Sequence, residues 1–303
     1  MNESMHEYMK VGLIQFMAFP QTAAGEGPIL ETLRTIILDN YFDGVEVTWI
    51  KDPAVRRQAA QMLAASQMAV GYGAHPCLLS TGLNLNHLDE TERLRAIAAM
   101  KQGIDQAYEL GATGFVFFSG KYEEEKQEQA LTALVDSTRE LCAYAKTKGG
   151  LKIIHEMFDH KVDKKSLIGP AALARRYAEL ISKEFDNFGL LVDLSHIPLI
   201  GETSAEAIVP VREFLVHAHL GNCIKADPTR SGYGDTHPRF GCPGGENDVA
   251  QVADFLRVLL EIGFLNKAQP PMVSFEVKPR PDEDPELVIA NAKRTLTRAW
   301  AML

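Results

Sequence analysis

Long apolar runs are missing from this sequence, and cysteine is too scarce to suggest a disulfide scaffold. No stretch reaches the roughly 18 consecutive apolar residues of a membrane span. Residues 1–10 are polar and lack the apolar segment of a signal peptide. The cysteines show no CxxC spacing: Cys77, Cys142, Cys223 and Cys242. We therefore expect no disulfide framework and a location in the reducing cytoplasm.

Basic residues are also in short supply. Lysine plus arginine number 31 against 40 aspartates and glutamates, which gives a formal net charge of −9. This balance argues against nucleic acid or an anionic membrane surface as the main partner. The chain has no low-complexity segment, and its hydrophobic content of 46% is enough for one large core. We therefore expect residues 1–303 to form a single domain.

Short β-rich runs alternate with longer helical patterns along the whole chain. The predicted strands are Val11–Phe16, Gly44–Thr48, Ala69–Gly73, Gly114–Phe118, Lys152–Glu156, Gly189–Asp193, Leu215–His219 and Met272–Val277. The predicted helices are Pro28–Asn40, Pro53–Ser66, Glu90–Leu110, Glu124–Lys148, Gly169–Phe185, Ser204–Val211, Val249–Ile262 and Glu286–Leu303. Eight such units predict an α/β fold, a single closed (β/α)8 TIM barrel. A doubly wound open sheet is the competing arrangement.

Helix start and stop signals agree with several of these boundaries. Asp52-Pro53 and Asp284-Pro285 each place a capping carboxylate before a proline suited to the first helical position. Gly111 follows a predicted helix at the point where a glycine commonly ends one.

Four consecutive predicted strands end in a residue able to bind a divalent metal: Glu156, Asp193, His219 and Glu276. Polar residues at the carboxyl ends of barrel strands point into the mouth, where active sites are built. Buried carboxylates and imidazoles are costly unless charge compensates them, and a metal ion supplies that charge. Three carboxylates with one imidazole suit Mn²⁺, our preferred ion, or Co²⁺, Mg²⁺ or Zn²⁺. Taken singly, each residue is equally well explained by an ion pair or a cap.

Three further histidines near strand ends differ in their expected orientation. His217 shares the inward face of its strand with His219 because side chains alternate with period two. We expect it to support the site or pack in the core rather than bind the metal. His155 precedes Glu156 and is expected to face outward, beneath a helix. His75 follows the third strand, where a substrate contact and a loop histidine are equally good interpretations.

The connection of residues 221–248 is glycine-rich and has little periodicity. Structureless connections of this length in compact domains are usually functional or disordered. It follows the strand of His219 at the rim, so we interpret it as a substrate-covering loop, with a mobile surface loop as the alternative. Its candidate substrate contacts are Lys225, Asp235, His237 and Arg239.

These residues resemble a known family. Glu156, Asp193-x-x-His196, His217-x-His219-x-Gly221 and Glu276 are similar to motifs of the xylose-isomerase-like TIM-barrel superfamily. This superfamily of sugar isomerases and epimerases is also called AP endonuclease family 2. The resemblance implies that His196 contacts a substrate oxygen and that one divalent cation is bound by Glu156, Asp193, His219 and Glu276. Lys225 stands where ketose 3-epimerases have a substrate-binding arginine.

The ligand set also indicates a mechanism. A chelated cation would stabilise the enediolate left when a carbon next to a carbonyl loses its proton. Glu156 and Glu276 are positioned to remove and return that proton, while His196 and Lys225 hold oxygens. We therefore expect an isomerase or epimerase of a small sugar or keto-sugar. A metal-dependent eliminating lyase, of the 3-oxo-glycoside (C-glycoside deglycosidase) or inosose dehydratase type, is the first alternative.

The endonuclease IV branch, a phosphodiesterase, is the further alternative. It uses three zinc ions, and Asp235-x-His237 and His75 resemble part of its ligand set. The fourth strand, however, ends in Phe117-Phe118-Ser119-Gly120 without the histidine that this branch needs, and the acidic balance fits DNA poorly. We therefore expect a small sugar as partner, with no nucleic acid and no membrane, and leave association into a homo-oligomer open.

Overall fold

Eight parallel strands close into one barrel in a computed structural model that describes Met1 and residues 3–303. The strands follow one another around the barrel in chain order, and β1 closes it by pairing with β8, where Val11 lies beside Val273. The strands are β1 Lys10–Ile14, β2 Gly44–Val47, β3 Ala69–Gly73, β4 Gly114–Phe117, β5 Lys152–Met157, β6 Phe188–Asp193, β7 Leu215–Gly221 and β8 Met272–Glu276. The predicted (β/α)8 TIM barrel is confirmed.

The helices alternate with these strands and surround the barrel. They are α1 Gln15–Ala18, α2 Ile29–Ile37, α3 Pro53–Ser66, α4 His75–Thr81, α5 Glu90–Glu109, α6 Gln127–Lys146, α7 Ala171–Ser182, α8 His196–Ile200, α9 Ser204–Ile208, α10 Val249–Glu261 and α11 Pro285–Trp300. Short 3₁₀ turns lie at Met5–Glu7, Pro20–Thr22, Glu124–Lys126 and Val209–Val211. Among the described residues, no helix combines the length and the apolar character needed to cross a membrane.

The predicted helix signals are confirmed. The side chain of Asp52 accepts hydrogen bonds from the first backbone N–H groups of α3, and Asp284 does the same for α11. These bonds satisfy donors that a helix leaves unpaired at its start. Gly111 adopts a φ of +74° just after α5, a conformation that glycine reaches without steric cost.

Several predicted boundaries differ from the structure. The first strand was expected to reach Phe16, but it ends at Ile14 and the chain turns directly into α1. The expected helix 204–211 is α-helical only to Ile208, because Pro210 has no N–H to continue the ladder. One-turn helices such as α8 were missed, since five residues are too few to show a helical period.

Side chains alternate between the barrel interior and the helix layer. Ile154 and Leu191 share the inward faces of their strands with the two carboxylates one pleat further on, and they form a small apolar cluster separate from the main core. His155 faces outward, as expected, and its ring packs edge-on against Phe117 and Tyr177 of α7. The inward-facing Glu156 and Asp193 therefore lie one pleat above this apolar cluster, towards the carboxyl ends of their strands.

Candidate functional site

The four strand-end residues of β5–β8 lie together at the carboxyl end of the barrel. One ligand atom from each can be chosen so that all lie within 4.8 Å of one another: Glu156, Asp193, His219 and Glu276. His219 Nδ1 lies 2.8 Å from Glu276 Oε2 and 3.6 Å from Glu156 Oε1. All four residues are buried. The barrel therefore concentrates three carboxylates and one imidazole in a space the size of a metal coordination sphere.

The polar atoms of this cluster are incompletely satisfied by the protein. Four buried atoms lack a well-directed hydrogen bond: Glu156 Oε1, Asp193 Oδ2, His219 Nδ1 and Glu276 Oε2. Buried polar atoms are almost always hydrogen-bonded. Four unpaired ligand atoms in one small space therefore indicate that they bind a group other than the protein itself. Oxygen and imidazole donors are the ligands that Mn²⁺, Mg²⁺, Co²⁺ and Zn²⁺ accept, so these residues fit a divalent cation.

Burial and neighbouring charges act in opposite directions on the carboxylates. Burial raises the pKa of Asp193 to about 7, and Glu276 reinforces this shift although His196 opposes it. Burial also disfavours charge on Glu156, but His219 and His75 outweigh it and hold the pKa of that carboxyl below its ordinary value. The site therefore carries strong local charges that a bound cation would stabilise further.

A second polar cluster adjoins the first. Asp235 Oδ1 lies 2.9 Å from His237 Nε2 and 3.2 Å from His196 Nε2, and all three side chains are buried. His237 Nε2 also lies 3.3 Å from Glu276 Oε1, which links the two clusters. On its other side, Asp235 Oδ2 lies 3.2 Å from Lys164 Nζ. The structure thus brings three residues predicted from the sequence, His196, Asp235 and His237, into one group beside the four strand-end residues.

The orientation of His196 is fixed by the backbone. Its Nδ1 lies 2.8 Å from the carbonyl oxygen of Met157, which leaves Nε2 facing Asp235. Burial opposes protonation, yet Asp235 and Asp193 outweigh it and raise the pKa of His196 well above its usual value. A protonated His196 would present an N–H donor from Nε2 to an oxygen in the site.

His75 begins helix α4 and reaches the same region. Its Nε2 lies 2.9 Å from Glu156 Oε2, and its side chain remains 13% exposed. The imidazole lies parallel to the ring of Phe118, with an interplanar angle of 9°, and also contacts Phe158. His75 is therefore placed at the edge of the site, between Glu156 and an aromatic wall.

Lys225 and Arg239 are not brought into these clusters. The ammonium group of Lys225 donates to the carbonyl oxygen of Pro198, and the Arg239 Nε donates to Glu283 Oε1 at 3.0 Å. Their predicted contact with substrate stays a prediction.

The predicted substrate-covering loop, residues 221–248, is pinned at both ends. Asn247 donates to the carbonyl oxygens of Leu194 and Gly221, and Asn222 accepts from the Asn247 backbone N–H at 2.7 Å. Between these anchors, the loop helps to line a cleft of about 750 Å³ together with the segment after β8. The lining includes Ser231, Gly232, Thr236, Pro238, Lys278 and Arg280. The loop is thus tied to the barrel, and Thr236 and Pro238, on either side of His237 in the chain, border the cleft.

Sequence reasoning missed two charged residues near the site. Glu46 of β2 is buried and lies 2.8 Å from His217 Nε2 and 3.0 Å from His219 Nε2. A carboxylate in the apolar run Val45-Glu46-Val47 was the signal that could have found it. Lys164, which pairs with Asp235, lies in an irregular segment after β5 whose course no periodicity predicts.

Comparisons with solved structures give the same architecture. A D-tagatose 3-epimerase-like protein matches with 19% identity and a TM-score of 0.71 over 97% of this chain and 99% of its own. D-psicose 3-epimerase from Clostridium cellulolyticum H10, solved with D-tagatose, matches with 15% identity and a TM-score of 0.72 over 97% and 99%. The zinc-bound IOLI protein matches with 17% identity and a TM-score of 0.74 over the same shares. At these identities the likeness shows the fold. No curated protein matches this chain by sequence.

A family model places the fold in a sequence family as well. The model described as xylose isomerase-like TIM barrel matches residues 38–298, which include β2 to β8 and every member of the two polar clusters. The chain belongs to the xylose isomerase-like TIM barrel family.

Proposed function

We propose that this protein is a divalent-metal-dependent isomerase or epimerase of a small sugar or keto-sugar. The observation that carries the proposal is the convergence of four buried, unsatisfied ligand atoms from Glu156, Asp193, His219 and Glu276. Support also comes from similar structures, which include a D-tagatose 3-epimerase-like protein, a D-psicose 3-epimerase and one protein described with a bound zinc atom. Mn²⁺ is our preferred ion, with Co²⁺, Mg²⁺ and Zn²⁺ as alternatives.

Two carboxylates are placed for proton transfer. A divalent cation held by the four residues would polarise a substrate carbonyl and stabilise the enediolate formed next to it. Glu156 and Glu276 project from strands β5 and β8, on different sides of the mouth, and can each exchange a proton with a substrate carbon lying between them. Return of the proton to the other face of the same carbon epimerises the sugar, and return to the neighbouring carbon isomerises it.

Each of these carboxylates has its own imidazole neighbour. His75 lies beside Glu156 at 2.9 Å, and His237 lies beside Glu276 at 3.3 Å. Burial disfavours charge on both carboxylates, but nearby histidines outweigh it and lower their pKa values. A base that is ionised at neutral pH can accept the substrate proton, and the adjacent imidazole steadies the carboxylate in each state. His196 would donate from Nε2 to a substrate oxygen.

A specific observation favours a second candidate, phosphodiester cleavage of the endonuclease IV type. Asp193, His196 and His237 can each offer a ligand atom within 4.8 Å of the others, an arrangement that could hold a further cation. The fourth strand does not supply the histidine that this branch needs, because β4 ends at Phe117 and Phe118 follows it. The eliminating lyase has no observation that separates it from the epimerase, since both use the same proton abstraction.

The experiment is an activity panel combined with metal analysis. Wild type is stripped with a chelator and assayed with and without added Mn²⁺ on ketoses, 3-oxo-glycosides and an abasic DNA duplex. Glu156→Gln and His219→Ala are analysed beside Glu283→Gln, a control at the rim that pairs with Arg239 outside the cluster. We expect metal-dependent turnover of a ketose or keto-sugar, with reduced metal content only in the first two variants.

The alternatives give distinct results in the same panel. Release of an aglycone or of water from a 3-oxo substrate would assign the lyase, and cleavage of the abasic duplex would assign the phosphodiesterase. Full metal occupancy in both Glu156→Gln and His219→Ala, with the fold retained, would refute the ligand assignment. Full turnover by the stripped enzyme without added metal would refute metal dependence.

A further inference from the structure

A buried carboxylate lies inside the barrel beneath the candidate metal centre. Glu46 projects from β2, its side chain is only 1% exposed, and its Oε1 lies 2.8 Å from His217 Nε2 and 3.0 Å from His219 Nε2. One carboxylate oxygen of β2 therefore contacts two imidazoles of β7, a strand that does not adjoin β2 in the barrel. Removing a carboxylate from water is costly unless such partners compensate its charge.

The two nitrogens of His219 face different partners. Nδ1 faces the candidate metal ligands, 2.8 Å from Glu276 Oε2 and 3.6 Å from Glu156 Oε1, whereas Nε2 faces Glu46. An imidazole that binds a metal through one nitrogen carries its proton on the other. The carboxylate of Glu46 is the acceptor placed to hold that proton on Nε2, and this leaves the lone pair of Nδ1 directed at the centre.

A glycine on the neighbouring strand leaves room for the Glu46 side chain. Gly71 of β3 pairs with Glu46 in the barrel register, and a Cβ at Gly71 would lie 2.8 Å from Glu46 Cγ and 3.3 Å from its Cδ. A separation of 2.8 Å is shorter than the van der Waals contact between two carbon atoms. Any larger residue at position 71 would therefore displace the Glu46 side chain. The glycine therefore maintains the approach of Glu46 to His219 without touching any candidate metal ligand.

We propose that Glu46 is the positioning residue of the metal centre, which fixes the tautomer and ring orientation of His219 so that Nδ1 binds the cation. This inference rests on the proposed function, because it requires that His219 is a metal ligand. Carboxylate partners of metal-binding histidines raise the basicity of the ligand and stop rotation of its ring. His217 contacts the same Glu46 oxygen, Oε1, and so also helps to fix the position of the carboxylate.

A separate cation site at Glu46, His217 and His219 explains the geometry less well. The distances of 2.8 and 3.0 Å from Glu46 Oε1 to the two nitrogens are those of direct hydrogen bonds. A cation on Nε2 in addition to one on Nδ1 would also require His219 to lose both of its protons. The hydrogen-bonded carboxylate needs no such change.

The test measures metal affinity rather than turnover. Chelator competition gives the dissociation constant of the wild type and of Glu46→Leu, Glu46→Gln and Gly71→Ala for Zn²⁺ and Mn²⁺. We expect Glu46→Leu to weaken binding by about 10–100-fold. Glu46→Gln is expected to fall between it and wild type, because the amide oxygen still accepts the proton but carries no charge. Gly71→Ala is expected to weaken binding although it alters no polar group.

Two controls separate positioning from general damage. Glu202→Gln changes a half-buried carboxylate that accepts from the Ala171 backbone N–H, and it is expected to leave metal affinity unchanged. Nitrogen NMR of zinc-loaded, histidine-labelled protein reports which His219 nitrogen carries the proton. We expect Nε2 in wild type and a loss of that fixed state in Glu46→Leu, with the fold retained by circular dichroism.

The outcomes distinguish this inference from the proposed function. Wild type that binds no divalent cation would overturn both. Wild type that binds the cation, with unchanged affinity in Glu46→Leu and Gly71→Ala, would overturn the positioning role alone. Loss of a whole equivalent of metal in Glu46→Leu, with the affinity of the remaining ion unchanged, would also overturn it by making Glu46 a ligand.

Discussion

His75 Nε2 lies 2.9 Å from Glu156 Oε2, although one residue opens a short helix after β3 and the other ends an inward face of β5. The imidazole is held flat against Phe118, so its position does not depend on the carboxylate alone. Glu156, the proposed acid–base carboxylate, thus has a partner at the partly exposed edge of the site.

Removal of His75 is expected to impair turnover while metal binding is retained. His75→Ala leaves every candidate metal ligand in place but removes the neighbour that orients Glu156. We expect kcat/KM to fall by about 10–100-fold, the usual effect of losing such a partner. Steady-state kinetics and metal analysis are compared with His87→Ala, a histidine of the loop before α5. Unchanged kinetics in His75→Ala would exclude a role for this contact.

Two residues of the loop 221–248 are expected to differ sharply in their contribution to stability. Asp235 is buried among His196, His237 and Lys164, so Asp235→Asn leaves three cations without their shared anion. We expect the free energy of unfolding of the metal-free protein to fall by about 3–5 kcal/mol. Arg239→Ala, which breaks a partly exposed pair, is expected to cost about 0–1 kcal/mol.

Urea denaturation of the two variants checks this difference. A similarly small loss of unfolding free energy in Asp235→Asn and Arg239→Ala would show that Asp235 does not lie in the buried cluster. Kinetics of Arg239→Ala in the same preparation test its predicted contact with substrate, which the pairing of Arg239 with Glu283 does not favour.

His155 is expected to make the protein sensitive to acid. Burial lowers the pKa of His155 to about 3, whereas an unfolded histidine titrates near its ordinary value of 6.5. As the pH falls below 6.5, the unfolded state binds a proton that the folded state refuses, so stability is lost by up to about 1.4 kcal/mol per pH unit. Above pH 6.5 the group has no such effect. His155→Leu is expected to become more stable relative to wild type as the pH falls from 7 to 5.

Denaturation curves of metal-free wild type and His155→Leu at several pH values measure this trend. His87→Leu, in a less buried position, serves as the control and is expected to follow wild type. A constant difference between wild type and His155→Leu across the range would show that His155 binds its proton as readily in the folded state as in the unfolded state, against the prediction.

The sequence was enough to predict which side chains at the strand ends point into the barrel mouth. It was not enough to predict which side chains of different strands contact one another. Asp193 and Glu276 each close an apolar run, and period-two alternation fixes the direction of such a residue once the barrel is inferred. Glu46 and His219 meet across the barrel axis, and nothing in either local pattern encodes that pairing. The placement of Lys164 depends on an irregular segment, where hydrogen bonds of individual side chains decide the course of the chain.

His196 is expected to act on a substrate oxygen and not on the metal. His196→Ala removes an imidazole whose Nδ1 lies 2.8 Å from the Met157 carbonyl oxygen and whose Nε2 is the proposed donor. We expect kcat to fall by on the order of 10²–10³, the cost of one donor to a developing oxyanion, with metal content unchanged. Metal loss in parallel with kcat would assign His196 to a cation site instead and would strengthen the phosphodiesterase candidate.

The last prediction concerns the fate of the substrate proton. If Glu156 and Glu276 exchange protons with substrate, turnover in D₂O places deuterium on a carbon next to a carbonyl, because a carboxylic acid exchanges with solvent before it returns its proton. Glu156→Gln and Glu276→Gln are each expected to abolish turnover even with excess metal. Mass spectrometry and proton NMR of recovered substrate and product measure the incorporation. Complete absence of solvent deuterium at full turnover would instead indicate a hydride shift between carbons, in which neither glutamate carries the transferred hydrogen.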